Sequence, residues 1–314
     1  MLRALRFYGA RRVSNELGMH ILTGVRPISQ HRILVVGGSG RIGRIVRRAW
    51  SQTPPLNIEV VFQTRTPNGG DLMWDPLAGD VAPVRAAGRF DAMLVLSGIV
   101  PKPDADFRLN SDIGLACGAA AADCGIRRVL LASTSAVYGA ALARPYGEGD
   151  PCTPVNQYGR SKLEMEAACL AQARELGFDL CCLRIGNVAG ADALLLNGRG
   201  LHGEARLKLD RFSDGGTPLR SYIGPATLAA VLAHLVAQAS PPGSALNIAA
   251  PTPISMGDLV KAAQIPFELR AAPASAHQLV TLDCGRLAET YPFTPRDSDP
   301  SEMVSQWQQL RDLI

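Results

Sequence analysis

The chain has 314 residues, 47% hydrophobic and 19% charged, which is enough for a sizeable core and excludes a disordered polypeptide. Its net charge of +4 hides an asymmetry: ten Arg and a single acid, Glu16, precede Ser51, so the rest of the chain is net acidic and has no basic stripe suited to nucleic acid. No apolar run reaches the roughly 18 residues that span a bilayer, and the seven Cys show neither a C-x-x-C pair nor a zinc-ligand spacing.

These features lead us to expect a reduced, cytoplasmic protein with no nucleic-acid or membrane partner and no metal. Residues 1–30 are Arg-rich and acid-poor. They read as an N-terminal extension, either a transit-type leader or the product of a start placed too early, with Met19 as the alternative. Residues 32–36 (Arg-Ile-Leu-Val-Val) form a short apolar run ending in glycines, the pattern of a buried parallel strand. A helix is expected over 41–51 and strands over 58–63 and 90–96. An Ala-rich helix follows over 106–124, with Gly125 as its stop. Next come a strand over 128–133, a long helix over 156–176 closed by Gly177, and a strand over 179–185.

Strands alternating with helices define an α/β, doubly wound parallel sheet with helices on both faces. This assigns 31–186 to a dinucleotide-binding domain. The pattern is less regular from 187 to 314, where we expect a smaller α/β substrate lobe. It holds a helix over 226–238, a strand over 246–248, a helix from 255 and a terminal helix over 299–313. Asp299 would cap that last helix, with Pro300 in its first position.

Two motifs carry chemistry. The first is Gly37-Gly38-Ser39-Gly40-Arg41-Ile42-Gly43, which follows the first strand and opens a helix. In that setting backbone N–H groups and the helix N-terminus meet a pyrophosphate. Gly37 would make the turn, Gly40 would let the phosphates approach, and Gly43 would let helix and strand pack closely. The second strand ends Gln63-Thr64-Arg65, with no acid for a ribose 2′-hydroxyl. Arg65 could instead pair with a 2′-phosphate, which favours NADP slightly over NAD. The second motif is Tyr158 and Lys162, four residues apart on one helix face. There an ammonium would lower the phenol's pKa and ready it for proton transfer.

With these motifs, the stretch Ala132-Ser-Thr-Ser-Ala-Val-Tyr-Gly139 and the stretch Leu183-Arg-Ile-Gly-Asn-Val-Ala-Gly190 make the chain similar to a known group. It resembles the extended short-chain dehydrogenase/reductase superfamily, in particular the NAD-dependent epimerase/dehydratase family, over about 32–259. The resemblance implies a Rossmann fold and a set of roles. Tyr158 would be the proton donor and acceptor at the substrate oxygen. Lys162 would hydrogen-bond the nicotinamide ribose, and Thr134 the reacting hydroxyl or carbonyl. Asn110 falls where the family often has a catalytic Asn. Ser97 and Gly98 match the loop beside the cofactor ribose. Arg220-Ser221-Tyr222-Ile223 resembles a segment of sugar-nucleotide epimerases whose Arg meets substrate phosphates, and Asn187 matches an Asn near the same group. The helices over 106–124 and 156–176 stand where the family forms a four-helix homodimer interface.

There are departures. Family dehydratases place Asp-Glu after the Thr, where this chain has Ser135-Ala136, so dehydration is not expected. The family's His-Val-Asp-Asp is replaced by Gly224-Pro225-Ala226-Thr227. The expectation is therefore an NAD(P)-dependent oxidoreductase or epimerase acting at a hydroxyl or carbonyl carbon of a sugar, nucleotide-linked in the leading reading. The alternatives are an NADPH-dependent reductase of a small carbonyl compound and a non-catalytic NADP-binding sensor.

Overall fold

A computed structural model describes residues 31–66, 71–140, 142–202, 204–240 and 242–311; the expected extension over 1–30 lies outside them. The chain opens with strand β1 (His31–Val36), whose side chains alternate between two cores: Ile33 and Val35 face one, Leu34 and Val36 the other. All four are fully buried, each contributing about 1.5–3 kcal/mol relative to exposure. Helix α1 (Arg41–Gln52) lays Ile45, Val46, Ala49 and Trp50 on the first core. Then follow β2 (Ile58–Thr64), β3 (Leu72–Met73), α2 (Ala82–Ala86), β4 (Ala92–Val95), α3 (Leu109–Asp123) and β5 (Arg128–Thr134). Helix α4 (Gln157–Leu176) begins at Asn156, whose Oδ1 accepts from the Gly159 N–H at 2.8 Å. It ends at Gly177 in the left-handed region. Strand β6 (Asp179–Ile185) completes the first part.

The remaining elements are β7 (Asn187–Val188), α5 (Ala193–Arg199), β8 (Leu207–Arg211), β9 (Leu219–Arg220), β10 (Tyr222–Ile223), α6 (Pro225–Ala237), β11 (Ala245–Ile248), β12 (Ile254–Ser255), α7 (Met256–Ala262), β13 (Phe267–Ala271), β14 (Leu279–Val280), α8 (Gly285–Ala288) and α9 (Pro300–Arg311). Seven strands form one parallel sheet in the order β11-β6-β5-β4-β1-β2-β3. The order reverses between β1 and β4, and ligands of such sheets bind beyond the strand ends at that point.

The boundary expected at 186/187 needs correction. Strand β11 pairs with β6 in the main sheet, and α6 packs on α1, where the Trp50 indole donates to the Ala229 carbonyl at 3.0 Å. The buried apolar face of α6 matches the sheet's first core, so 225–248 belongs with the sheet. The lobe is drawn from the stretches on either side, whose short sheets (β10 with β7; β12, β9 and β14; β13 with β8) enclose a separate core around Tyr222, Leu259 and Trp307. Among the described residues no helix is long and apolar enough to cross a membrane, and no three His, Cys, Asp or Glu side chains cluster as metal ligands.

Candidate active site

The glycine loop joins β1 to α1. Gly37 has φ +90°, and a Cβ there would lie 2.5 Å from the Ser97 hydroxyl, so only glycine fits. A Cβ on Gly43 would overlap the Gly37 carbonyl, which is the close helix–strand approach that the motif requires. Gly40 is the N-cap of α1 without a side-chain cap. A Cβ on it would meet only the Gly37 carbonyl, at 3.3 Å, and would otherwise fill the space over the loop. Uncapped N–H groups at a 12-residue helix's start beneath an open cradle suit a dinucleotide's pyrophosphate. Ser39 is exposed and Ile42 packs on the core, so both can serve the cofactor through the backbone. The Arg41 guanidinium reaches instead to the Ala191 carbonyl, at 2.8 Å, and ties the loop to the segment before α5.

At the end of β2, where no acid stands, Gln63 is buried. Its Oε1 accepts from the Gly37 N–H at 2.9 Å and its Nε2 donates to the Trp74 carbonyl. Sequence reasoning misses Gln63 because it looks for a charge at that position. Arg65 is exposed and bonds to no other described residue.

Beyond β4, the loop with Ser97 and Gly98 lies directly above the Lys162 amine, 2.9 Å from where a Gly98 Cβ would stand. Asn110, on α3, is buried and already satisfied. Its Oδ1 accepts from the Ile99 N–H at 2.8 Å, and its Nδ2 donates to the Ile99 carbonyl at 3.3 Å and to Ser161 Oγ at 3.1 Å. That placement suits a positioning residue, joining the ribose loop to α4, better than a group that meets substrate.

Thr134, at the end of β5, and Tyr158, on the first turn of α4, are brought close enough for the Thr134 hydroxyl to favour the ionised phenol. Thr134 Oγ1 also accepts from the Ala136 N–H at 3.2 Å, which orients it. The electrostatics differ from expectation. Burial pushes the Tyr158 pKa above its ordinary value, and the Thr134 hydroxyl only partly opposes it. Lys162 does not lower it, because the buried ammonium points to the Ala132 carbonyl at 2.9 Å. Burial brings the pKa of Lys162 itself down to about 8. Spacing alone placed the two residues on one face but did not show that a carbonyl of β5 competes for the amine.

Asn187 and Arg220 both line a cavity of about 200 Å³ with Ser135, Ser221 and Thr281. Arg220 is largely committed. It donates to the carbonyls of Leu219 and Gln278, each at 2.8 Å, and of His277 at 3.0 Å, so three of its five donors are spent on backbone, two of them holding the chain before β14. A buried network behind Thr134 leaves no signal in the sequence. Ser133 Oγ donates to Glu166, Glu166 receives Arg184, and Arg184 donates to the Tyr138 hydroxyl at 2.9 Å, which in turn donates to Asn247 at 2.8 Å.

A parallel sheet of this order, with a glycine cradle at its switch point and a Thr–Tyr–Lys group beyond β5, defines a dinucleotide-binding enzyme of the short-chain dehydrogenase/reductase type. The family model for the NAD dependent epimerase/dehydratase family matches residues 33–249, and the chain belongs to that family. A UDP-glucose 4-epimerase of Azospirillum brasilense is 34% identical over 178 residues, covering 51% of this chain and only half (50%) of that relative. One from Streptococcus mutans is 27% identical over 319 residues, covering 87% of this chain and 94% of the relative. Among solved structures, UDP-glucose 4-epimerase from Brucella ovis in complex with NAD superposes with a TM-score of 0.72 at 21% identity, over 87% of this chain and 96% of that one. The Thermus thermophilus enzyme complexed with NAD gives a TM-score of 0.68 at 21% identity, over 90% of this chain and 100% of that one. At such identities the structures show a shared fold. The family binds NAD(P), but the slight preference for NADP drawn from Arg65 finds no support in these neighbours, which carry NAD.

Proposed function

We propose that this protein is a nicotinamide-nucleotide-dependent epimerase or oxidoreductase acting at a hydroxyl-bearing carbon of a nucleotide-sugar-like substrate. The observation that carries the reading is the Thr134–Tyr158 pair at the end of β5, with the Lys162 amine beneath the Ser97–Gly98 loop. When bound, the nicotinamide supplies a hydride acceptor and donor. The residues do the rest. The Tyr158 phenol, protonated at neutral pH and made a weaker acid still by burial, would hold the proton for the substrate oxygen, and Thr134 would hydrogen-bond the same oxygen. Lys162 holds the ribose, and the uncapped start of α1 takes the pyrophosphate. Ser135 and Ala136 supply no further acid or base, so water elimination is not part of this reading. The relatives named UDP-glucose 4-epimerase support a UDP-hexose as the first substrate to try.

NAD is the stronger cofactor reading, because the structural neighbours with a named nucleotide carry NAD. A second reading, an NADPH-dependent carbonyl reductase, is favoured by two observations: the end of β2, Gln63-Thr64-Arg65, carries no acid, and Arg65 is exposed and pairs with no described residue. A homodimer through α3 and α4 accompanies either reading, and light scattering at micromolar concentration tests it. The functional test is to identify the nucleotide released on denaturation and to follow UDP-glucose by NMR in the presence of the protein. Retained NAD and a growing UDP-galactose signal support the epimerase. NADP or an empty protein, with UDP-glucose unchanged, supports the reductase.

A further inference from the structure

The cavity that begins at Ser135, next to Thr134 in the chain, has among its described lining residues one fully buried side-chain oxygen without a protein partner. Thr281 is 1% exposed, and its Oγ1 forms no hydrogen bond with any of them. A buried hydroxyl left unpaired is costly and uncommon in folded proteins, so its surroundings call for a ligand. The backbone that carries this hydroxyl is held on both sides. The Thr281 carbonyl accepts from the Tyr146 N–H at 2.8 Å, and the next N–H, of Leu282, donates to Ser221 Oγ at 2.8 Å. Thr281 therefore sits on a backbone pinned from both sides, at the wall of the cavity of about 200 Å³.

The other walls indicate what enters. Ser135 and Ala136 follow Thr134 directly, so the cavity begins one residue along the chain from Thr134. Asn187 faces it with a side-chain amide that bonds to no described residue. The one cation of the lining, Arg220, spends three donors on backbone carbonyls. The lining is thus mainly neutral and hydroxyl- or amide-bearing. It suits an uncharged polyol better than a diphosphate, which would need unspent cations or N–H groups.

We propose that Thr281 is a specificity-determining residue that hydrogen-bonds a hydroxyl of the substrate's sugar ring, beside the reacting carbon. This rests on the reading of Thr134 and Tyr158 as the reacting centre, but not on the substrate carrying a nucleotide.

The test compares wild type, Thr281→Val and Thr281→Ser, full-length and loaded with NAD, by titration with UDP-glucose, with UDP and with methyl glucoside. Valine keeps the shape and removes the hydroxyl. The expected result is that Thr281→Val weakens both glucose-bearing ligands by about three- to tenfold, as for one neutral hydrogen bond, leaves UDP and NAD unchanged, and that serine restores wild-type affinity. The thermal midpoint of the valine variant should equal or exceed that of wild type, since an unpaired buried hydroxyl has been removed. Equal weakening of UDP and the glucose-bearing ligands, unchanged affinity throughout, or a wild type that binds neither glucose-bearing ligand would each overturn the proposal. A wild type that binds methyl glucoside as tightly as UDP-glucose removes the nucleotide from the reading above, while the comparison on the glucoside still decides the role of Thr281.

Discussion

The Arg184 guanidinium and the Glu166 carboxylate meet in the interior, with Nη2 2.8 Å from Oε2 and side chains only 9% and 3% exposed. Glu166 lies one turn after Lys162 on α4, and Arg184 lies on β6 beside Ser133, so the pair ties the acid–base helix to the sheet behind Thr134. Arg184→Met leaves a buried carboxylate unpaired and should cost about 3–5 kcal/mol, read as a shift in urea unfolding. Adding Glu166→Leu should recover most of that loss. A single variant as stable as wild type would show that the pair has little influence.

Tyr158→Phe removes only the phenolic oxygen. Turnover should fall by about 10²- to 10⁴-fold, with cofactor binding intact by fluorescence titration. Survival of turnover would refute the assignment of Tyr158.

Gly43→Ala should weaken the cofactor site without touching the reacting residues. The added methyl must push the Gly37 carbonyl, which is backbone, so α1 and β1 separate. A destabilisation of about 1–3 kcal/mol is expected, together with loss of tight nucleotide binding in calorimetry.

Lys162 gives a pH signature. Its folded pKa, about 8, lies below the ordinary 10.5. Below pH 8 both folded and unfolded chains carry the proton, and the burial penalty of about 3 kcal/mol is fully present. Between about pH 8 and 10.5 the unfolded chain binds more protons, so this residue's contribution to stability rises with pH. Buried thiols such as Cys117, whose pKa is raised, act in the opposite direction above pH 9. The measurement is therefore the difference in unfolding free energy between wild type and Lys162→Met, which should shift toward the wild type across that window. The same titration should give kcat/KM a falling limb near pH 8.

Much of this was legible in local chemistry. Apolar runs ending in glycine pointed to β1 and the cradle, and the helix stops at Gly125 and Gly177 were visible because a helix end of this kind needs positive φ. Tyr158 stood out by its spacing from Lys162, and Thr134 only through the family resemblance. What could not be read was long-range. Return of β11 to the sheet depends on which hydrophobic face α6 covers, and a run of Ala and Leu does not specify that. The spending of Arg220 on the carbonyls of 277 and 278 depends on a loop nearly 60 residues away, as does the isolation of Thr281. The partner of Lys162 on β5 was not foreseen, because burial and competing carbonyls appear only in three dimensions.

Asn110 connects the Ile99 backbone to Ser161, and Ser161 Oγ in turn donates to the Tyr158 carbonyl at 2.9 Å. The platform for the ribose and the helix bearing the acid are thereby one mechanical part. Under the proposed roles, a nucleotide settling on that platform would press on the helix that carries the phenol, and cofactor arrival would be coupled to alignment of the proton donor. Damage to the joint would make an enzyme that still holds its nucleotide but presents its acid at the wrong angle.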